Sequence, residues 1–283
     1  MFVSMKKRRL SDIILKVLIW LCSFITVGIL VWLLVYIISN GITHINWEFV
    51  STIYKPTDNM HGILPMIIST IFIVVLTIII STPIGICSAI YLVEYSKPGK
   101  ILNTIRFATE TLAGIPSIIY GLFGLIFFVV FLHFKFSLLS GALTLCIMVL
   151  PTVVRTTEEA LKAVPVSYKE GSLALGATQL KTISRVVLPC AIPGILTAVI
   201  LSIGRIVGET AAIYLTAGTV TRIPTGVMES GRTLSVHLYM LSKEGISFEQ
   251  AYATATILVV IVALINFLAT RIAGNLKKMT MGS

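Results

Sequence analysis

The sequence predicts an all-α integral membrane protein with about six transmembrane helices. Three observations carry this expectation. The 283 residues are 56% hydrophobic and only 12% charged, against roughly 25% charged in ordinary soluble domains. Several apolar runs reach the length of about 20 residues that a helix needs to cross the hydrocarbon core. Nearly all Lys and Arg residues fall in the connections between those runs, where membrane topology and anionic headgroups place them. The same clustering makes membrane lipid, not nucleic acid, the expected partner of the +10 net charge.

The first span is expected at residues 13–39. Lys6-Lys7-Arg8-Arg9 before it resembles the basic start of a signal peptide. The apolar run that follows is too long for one, so a retained span is expected. The second span, 63–93, contains Pro83 and Gly85 and is over-long, so it is expected to kink or to protrude. The third span, 114–133, opens on Gly114-Ile115-Pro116-Ser117 and carries Gly121 and Gly124. These glycines suit close helix packing better than a backbone-lined cavity. The fourth span is expected at 138–154, the fifth at 188–218 and the sixth at 251–273.

Fifteen basic residues fall on the side of the N-terminus and five on the other. This bias predicts both termini in the cytoplasm. The 219–250 connection is then external and long enough for short helices that shape an outer mouth. Glu94, Glu158 and Glu159 are expected to face cytoplasmic water. Cys22, Cys87, Cys146 and Cys190 lie in or beside apolar segments without C-x-x-C spacing and read as small packing residues. His44, His61, His133 and His237 show no metal-ligand spacing. No G-x-x-x-x-G-K phosphate loop occurs, so nucleotide hydrolysis is expected from another chain.

The cytoplasmic segment 158–189 is the most organised connection. It holds Glu170-Gly171-Ser172, three residues, Gly176, nine residues, then Val186-Val187-Leu188-Pro189. Ser167 and Glu170 have capping-box spacing, which predicts a short helix running to about Leu175. Pro165 ends the helix before it, and Gly176 suits a left-handed stop. A second helix is expected from Thr178 to Val187. A helix of about eight residues is not stable alone in water, so Leu173 and Leu175 must pack on a surface. That surface is either the membrane or a docking partner.

The fifth span contains Gly204-Arg205-Ile206-Val207-Gly208-Glu209-Thr210. Arg205 and Glu209 are four apart, which puts them on one helical face, some 24 Å beyond Pro189 and in the outer half of the span. Gly204 and Gly208 have the small-xxx-small spacing of a close helix contact. Charges at this depth are functional candidates by default. The pair is either a structural ion pair or a step in an anion path, because Arg presents a planar donor fork that fits a tetrahedral oxyanion. A carboxylate beside it can accept the O–H that phosphate retains at neutral pH and sulfate lacks.

The loop spacing resembles the cytoplasmic signature of ABC importer permeases: Glu-Ala-Ala, three residues, Gly, nine residues, Ile, one residue, Leu-Pro. Here Gly171-Ser172 replaces Ala-Ala and Val186 replaces Ile, both keeping small or β-branched character. Pro83-Ile84-Gly85-Ile86, the run from Ala89 to Tyr95, the run from Leu112 to Gly124, and Gly204-Arg205 with Gly208-Glu209-Thr210-Ala211-Ala212 follow in order. Together they resemble bacterial phosphate importer permeases of the PstA type, and Leu215-Thr216-Ala217-Gly218 favours that type over its PstC-type sister. The resemblance covers about residues 63–273.

It implies a type I ABC importer permease fold, with an N-terminal part (1–62), a permease core (63–273) and a cytoplasmic tail (274–283). It implies a PstC-type sister permease, a PstB-type ATPase dimer and a PstS-type extracytoplasmic phosphate-binding protein as partners. It implies ATP and Mg in the ATPase and no cofactor on this chain. By position, Glu170, Gly171, Ser172, Gly176, Leu188 and Pro189 match the ATPase-coupling loop, and Arg205 and Glu209 match pathway residues. A permease for sulfate or molybdate is the alternative; an autonomous channel or a membrane enzyme fits less well.

Overall fold

The computed structural model describes residues 2–55 and 60–281, with side chains described over 12–55 and 60–271. The basic residues Lys6, Lys7, Arg8, Arg9, Lys277 and Lys278, which enter the charge count, lie outside the described side chains. In chain order the helices begin with α1 (Phe2–Gly41), α2 (Trp47–Ser51), α3 (Leu64–Ile90) and α4 (Lys100–Ala113). Next come α5 (Ser117–Gly124), α6 (Leu138–Lys162), α7 (Val166–Ala174) and α8 (Gln179–Thr182). The last four are α9 (Leu188–Gly208), α10 (Ala211–Thr216), α11 (Leu234–Lys243) and α12 (Phe248–Met281). Wider π-helical turns extend α3 to Tyr95, extend α5 to Phe131 and join α8 to α9. Among the described residues the exception to the all-α expectation is a two-stranded antiparallel ribbon, β1 (Tyr54–Lys55) and β2 (Met60–His61), pairing Tyr54 with His61.

Among the described residues five helical runs are long and apolar enough to cross a membrane, and a sixth crossing arises if α4 and the α5 run, bent by 100° at their junction, count as one span. Gly114 and Pro116 make that bend. Pro116 offers no N–H, and it steers Ile115 away from helical backbone. Helix α4 was not expected from the sequence, which left 94–113 as a connection. It is an amphipathic helix that buries Leu102 against the foot of the bundle.

Helices α3, α6 and α9 form the centre, with α5 and α10 on one flank and α12 on another. Their contact buries Ile73, Leu145, Met148, Val149, Ile206, Val207 and Ile213. Thr77 and Thr144 inside this core donate to carbonyls one turn back, so these two hydroxyls are satisfied without separating the helices. None of the apolar stretch of α1 is buried. That helix meets α12 near its end, where Tyr36 stands edge-on to Tyr252 at 5.9 Å and Thr256 donates to the Ile37 carbonyl at 3.2 Å. Of the cysteines, Cys146 is buried, whereas Cys22 and Cys87 are exposed on the bundle exterior and do not fill packing positions.

The glycines of the third span pack as expected. A Cβ on Gly121 would stand 2.9 Å from the Cα of Ala212 in α10, and one on Gly124 would collide with the Thr144 hydroxyl. Backbone cannot yield as a side chain can, so Gly121→Val is expected to destabilise the chain by about 1–3 kcal/mol or more. Gly204→Ala, whose Cβ meets nothing within 4 Å, is expected to be neutral for folding. Thermal unfolding of the two variants in detergent checks the contrast.

At the end of the bundle away from α7, a short segment rich in hydrogen bonds leads into α11. Arg232 donates through Nε to the Thr219 carbonyl at 2.9 Å and through Nη1 to Nδ1 of His237 at 3.4 Å. Arginine is donor only, so Nδ1 accepts and the proton of the neutral ring sits on Nε2. His237 is fully buried beside Tyr54, ring centroids 4.9 Å apart. Burial, and then the Arg232 charge, push its pKa down to about 3. Between about pH 6.5 and pH 3 the unfolded chain therefore binds a proton that the folded chain refuses, and folding stability falls as pH falls through that window. His237→Gln, which keeps an acceptor for Arg232, is expected to lose that share of the acid sensitivity in detergent unfolding at about pH 7 and 5.

Candidate functional site

The charged residues of the fifth span sit at a break. Helix α9 ends at Gly208, and Glu209 takes extended backbone, with φ −72° and ψ 130°. The chain then restarts as α10. The Glu209 carboxylate reaches over Thr210 to accept the Ala212 N–H at 3.1 Å, so it caps α10. Its other oxygen accepts from no donor among the described residues. The Glu209 carbonyl is held by the Ser235 hydroxyl of α11 at 2.6 Å.

This corrects the expectation that Arg205 and Glu209 share one helical face, and of the two alternatives it removes the ion pair. The helix between them does not continue, and the carboxylate is turned to the backbone of α10. Arg205 is left half-buried, with no ion pair or hydrogen bond among the described residues. Tyr120 of α5 lies within its electrostatic reach and donates its own hydroxyl to the Leu112 carbonyl at the end of α4, at 2.7 Å. Leu201, Gly204, Arg205 and Gly208 lie at helical spacing on the face opposite the buried Ile206 and Val207. Gly204 and Gly208 meet open space, not another helix among the described residues. A guanidinium facing hydrocarbon at this depth is costly. The stripe therefore suits a water-filled path or a second chain.

The segment between α6 and α9 forms the other candidate site. The expected capping box is absent. Pro165 occupies the position before α7 and no side chain caps the helix, which leaves Ser167 two residues too deep to serve. Gly176 takes the expected left-handed backbone, with φ +83°. Thr178 caps the next helix by accepting the Lys181 N–H. The second short helix and the fifth span are one run from Gln179 to Gly208, so the span does not begin afresh at Leu188 and Pro189. None of the residues of α7 is buried. Leu175 is 90% exposed and Leu173 49%, with Val166 and Tyr168 also exposed. Glu170, Gly171 and Gly176 are exposed beside them.

Two glutamates expected in water are buried instead. Glu158 of α6 is 7% exposed and binds Arg106 of α4 and, at 2.7 Å, Lys162. The Glu94 side chain, in the turn that closes the second span, is 5% exposed and pairs with Lys169 of α7. Its carbonyl accepts the Gln179 side-chain amide at 2.9 Å. Ser172 shares a hydrogen bond with Thr182 at 2.9 Å. Sequence reading missed Glu94, Lys169, Arg106 and Tyr120. Glu94 was visible only as an acidic residue at the end of an apolar run, with nothing local to name its partner 75 residues away.

Residues 81–280 match the family described as binding-protein-dependent transport system inner membrane component. The chain is 33% identical to the probable ABC transporter permease protein YqgI of Bacillus subtilis, over 96% of this chain and 99% of that one. It is 32% identical to the phosphate transport system permease protein PstA of Mycobacterium leprae, over 94% and 91%. Among solved structures, a bacterial alginate ABC transporter in complex with its alginate-bound periplasmic protein superposes with a TM-score of 0.68 at 15% identity, covering 92% of this chain and 96% of that one. The MetNI methionine ABC transporter superposes with a TM-score of 0.61 at 22% identity, covering 79% and 99%. At such identities the two structures speak for the fold.

Proposed function

The chain belongs to the binding-protein-dependent transport system inner membrane component family, and on that premise we propose that it carries inorganic phosphate through the membrane. It is a multi-pass permease subunit of an ABC importer, a transport component and not a catalytic one. The observation that carries the phosphate reading is Arg205, unpaired among the described residues on an open, glycine-flanked stripe beside a break in the fifth span. A guanidinium so placed offers its donor fork to a tetrahedral oxyanion. The relatedness to phosphate permeases of the PstA type supports the same cargo.

In this reading the stripe faces a homologous sister permease, and the path runs between the two chains. An extracytoplasmic binding protein delivers phosphate on the α11 side. An ATPase dimer, which holds ATP and Mg, docks on α7 with Glu170, Gly171, Ser172 and Gly176 at the contact and Leu188 and Pro189 at the root of the fifth span. Both termini lie in the cytoplasm, on the side of the basic excess.

Glu209 sorts the anions. One oxygen caps α10, and the other is available to the O–H of monoprotonated phosphate. Sulfate has no such proton, and two acceptors facing each other cost roughly 1–3 kcal/mol. Glu209→Gln keeps an acceptor for the cap and turns the other side of the group into a donor. It is expected to narrow the preference for phosphate over sulfate by roughly tenfold while leaving assembly intact. ATP hydrolysis by the complex, stimulated by binding protein loaded with either anion, measures the preference. An unchanged ratio in Glu209→Gln would refute the selectivity role.

A further inference from the structure

We propose that Glu94 is the positioning residue that makes α7, the end of the second span and the root of the fifth move as one body. This rests on the reading of α7 as the ATPase-docking helix and adds the route by which its motion reaches the bundle. Helix α7 buries none of its own residues, so apolar packing within the chain does not hold it. Two side-chain ties to other elements hold it instead. Ser172 bonds Thr182 in α8, only ten residues further along the same connection. Lys169 pairs with Glu94, which is the one ion pair between α7 and another element among the described residues.

Glu94 is placed to transmit force for three reasons. Its side chain is 5% exposed, so a displacement of α7 that broke the pair would strand a buried carboxylate, which is strongly unfavourable. The pair is therefore kept while α7 moves. Glu94 lies in the π-helical turn Tyr91–Tyr95, a wider turn typical of functional positions in helices. Its backbone carbonyl also accepts the Gln179 side chain, and Gln179 begins the helical run that continues to Gly208. One residue thus ties α7, the second span and the span that carries Arg205.

The test uses the whole complex in proteoliposomes, with wild type, Glu94→Gln, Lys169→Gln, the double variant and Lys169→Arg. Three quantities are read: anion uptake, ATP hydrolysis and the amount of ATPase subunit retained on purification. Uptake is followed with whichever anion, phosphate or sulfate, the wild type accumulates, so an error in the cargo does not blur the comparison. Each Gln variant is expected to lower uptake per ATP hydrolysed by roughly tenfold, with hydrolysis itself within about twofold of wild type. The double variant is expected to be no worse than either single one, because the pair acts as a unit. Lys169→Arg, which keeps the charge, is expected to restore the ratio.

Uptake and hydrolysis that fall in parallel would mean a merely structural role and overturn the proposal, as would an unchanged ratio or additive losses. Should Glu94→Gln fail to assemble, Lys169→Gln against Lys169→Arg decides alone. Leu175→Asp separates this proposal from the docking reading beneath it. If that variant retains the ATPase subunit, the docking reading fails. If it releases the subunit while the Glu94 and Lys169 variants keep a normal ratio, only the linkage fails.

Discussion

Arg205→Ala is expected to lower ATP-dependent phosphate uptake by roughly tenfold to a hundredfold, the range set by losing one charge-assisted hydrogen bond to a desolvated anion. The fold should be indifferent to the change. Arg205 makes no bond within the described chain, and its neighbours Gly204 and Gly208 face open space. Assembly with the partner subunits and basal ATP hydrolysis are therefore expected to survive, and the loss to appear in transport. Arg205→Lys keeps the charge but not the planar fork and is expected to fall between. A structural ion pair would behave differently. Its removal would strand Glu209 and lower stability, but Glu209 already has its partner in the Ala212 N–H. Uptake assays beside detergent unfolding separate the two outcomes, and normal uptake by Arg205→Ala would remove Arg205 from the path.

Leu175→Asp is expected to release the ATPase subunit. Leu175 is 90% exposed at the end of a helix that buries nothing. A leucine at a docking contact contributes about 1.5–3 kcal/mol by burial. Replacing it with a carboxylate forfeits that and adds a desolvation cost, so association should weaken by roughly a hundredfold. Leu173→Asp, at 49% exposure, should act in the same direction and less strongly. Because both side chains lie outside the core, the variant permease should still fold and reach the membrane. Retention of the ATPase subunit on an affinity column, with hydrolysis read on the eluate, gives the result.

Much of this architecture is legible in the sequence, because the bilayer demands long apolar helices. The hydropathy of 64–90, 138–162 and 248–271 places those spans directly. Gly176 likewise announces its left-handed turn. The failures share a cause. The break at Gly208 lies inside a continuous apolar run, and nothing local says that Glu209 will cap a following helix and not complete the one before. The capping box at Ser167 and Glu170 loses to Pro165, which fixes where α7 starts. Helix α4 is amphipathic and carries Lys100 and Arg106, so a reading tuned to transmembrane runs passes over it. The burial of Glu94 and Glu158 is decided by cations on distant elements, Lys169 and Arg106, and tertiary pairing of that kind leaves no local pattern.

The proposed passage of phosphate past Arg205 decides what this permease subunit carries. Its most direct test is ATP-dependent accumulation of labelled phosphate in proteoliposomes that hold the permease pair and the ATPase subunits, with loaded binding protein outside and excess sulfate as competitor. Phosphate is predicted to accumulate only with ATP, to resist sulfate, and to lose accumulation in Arg205→Ala. Accumulation of sulfate in place of phosphate, or phosphate uptake untouched by Arg205→Ala, would contradict the claim.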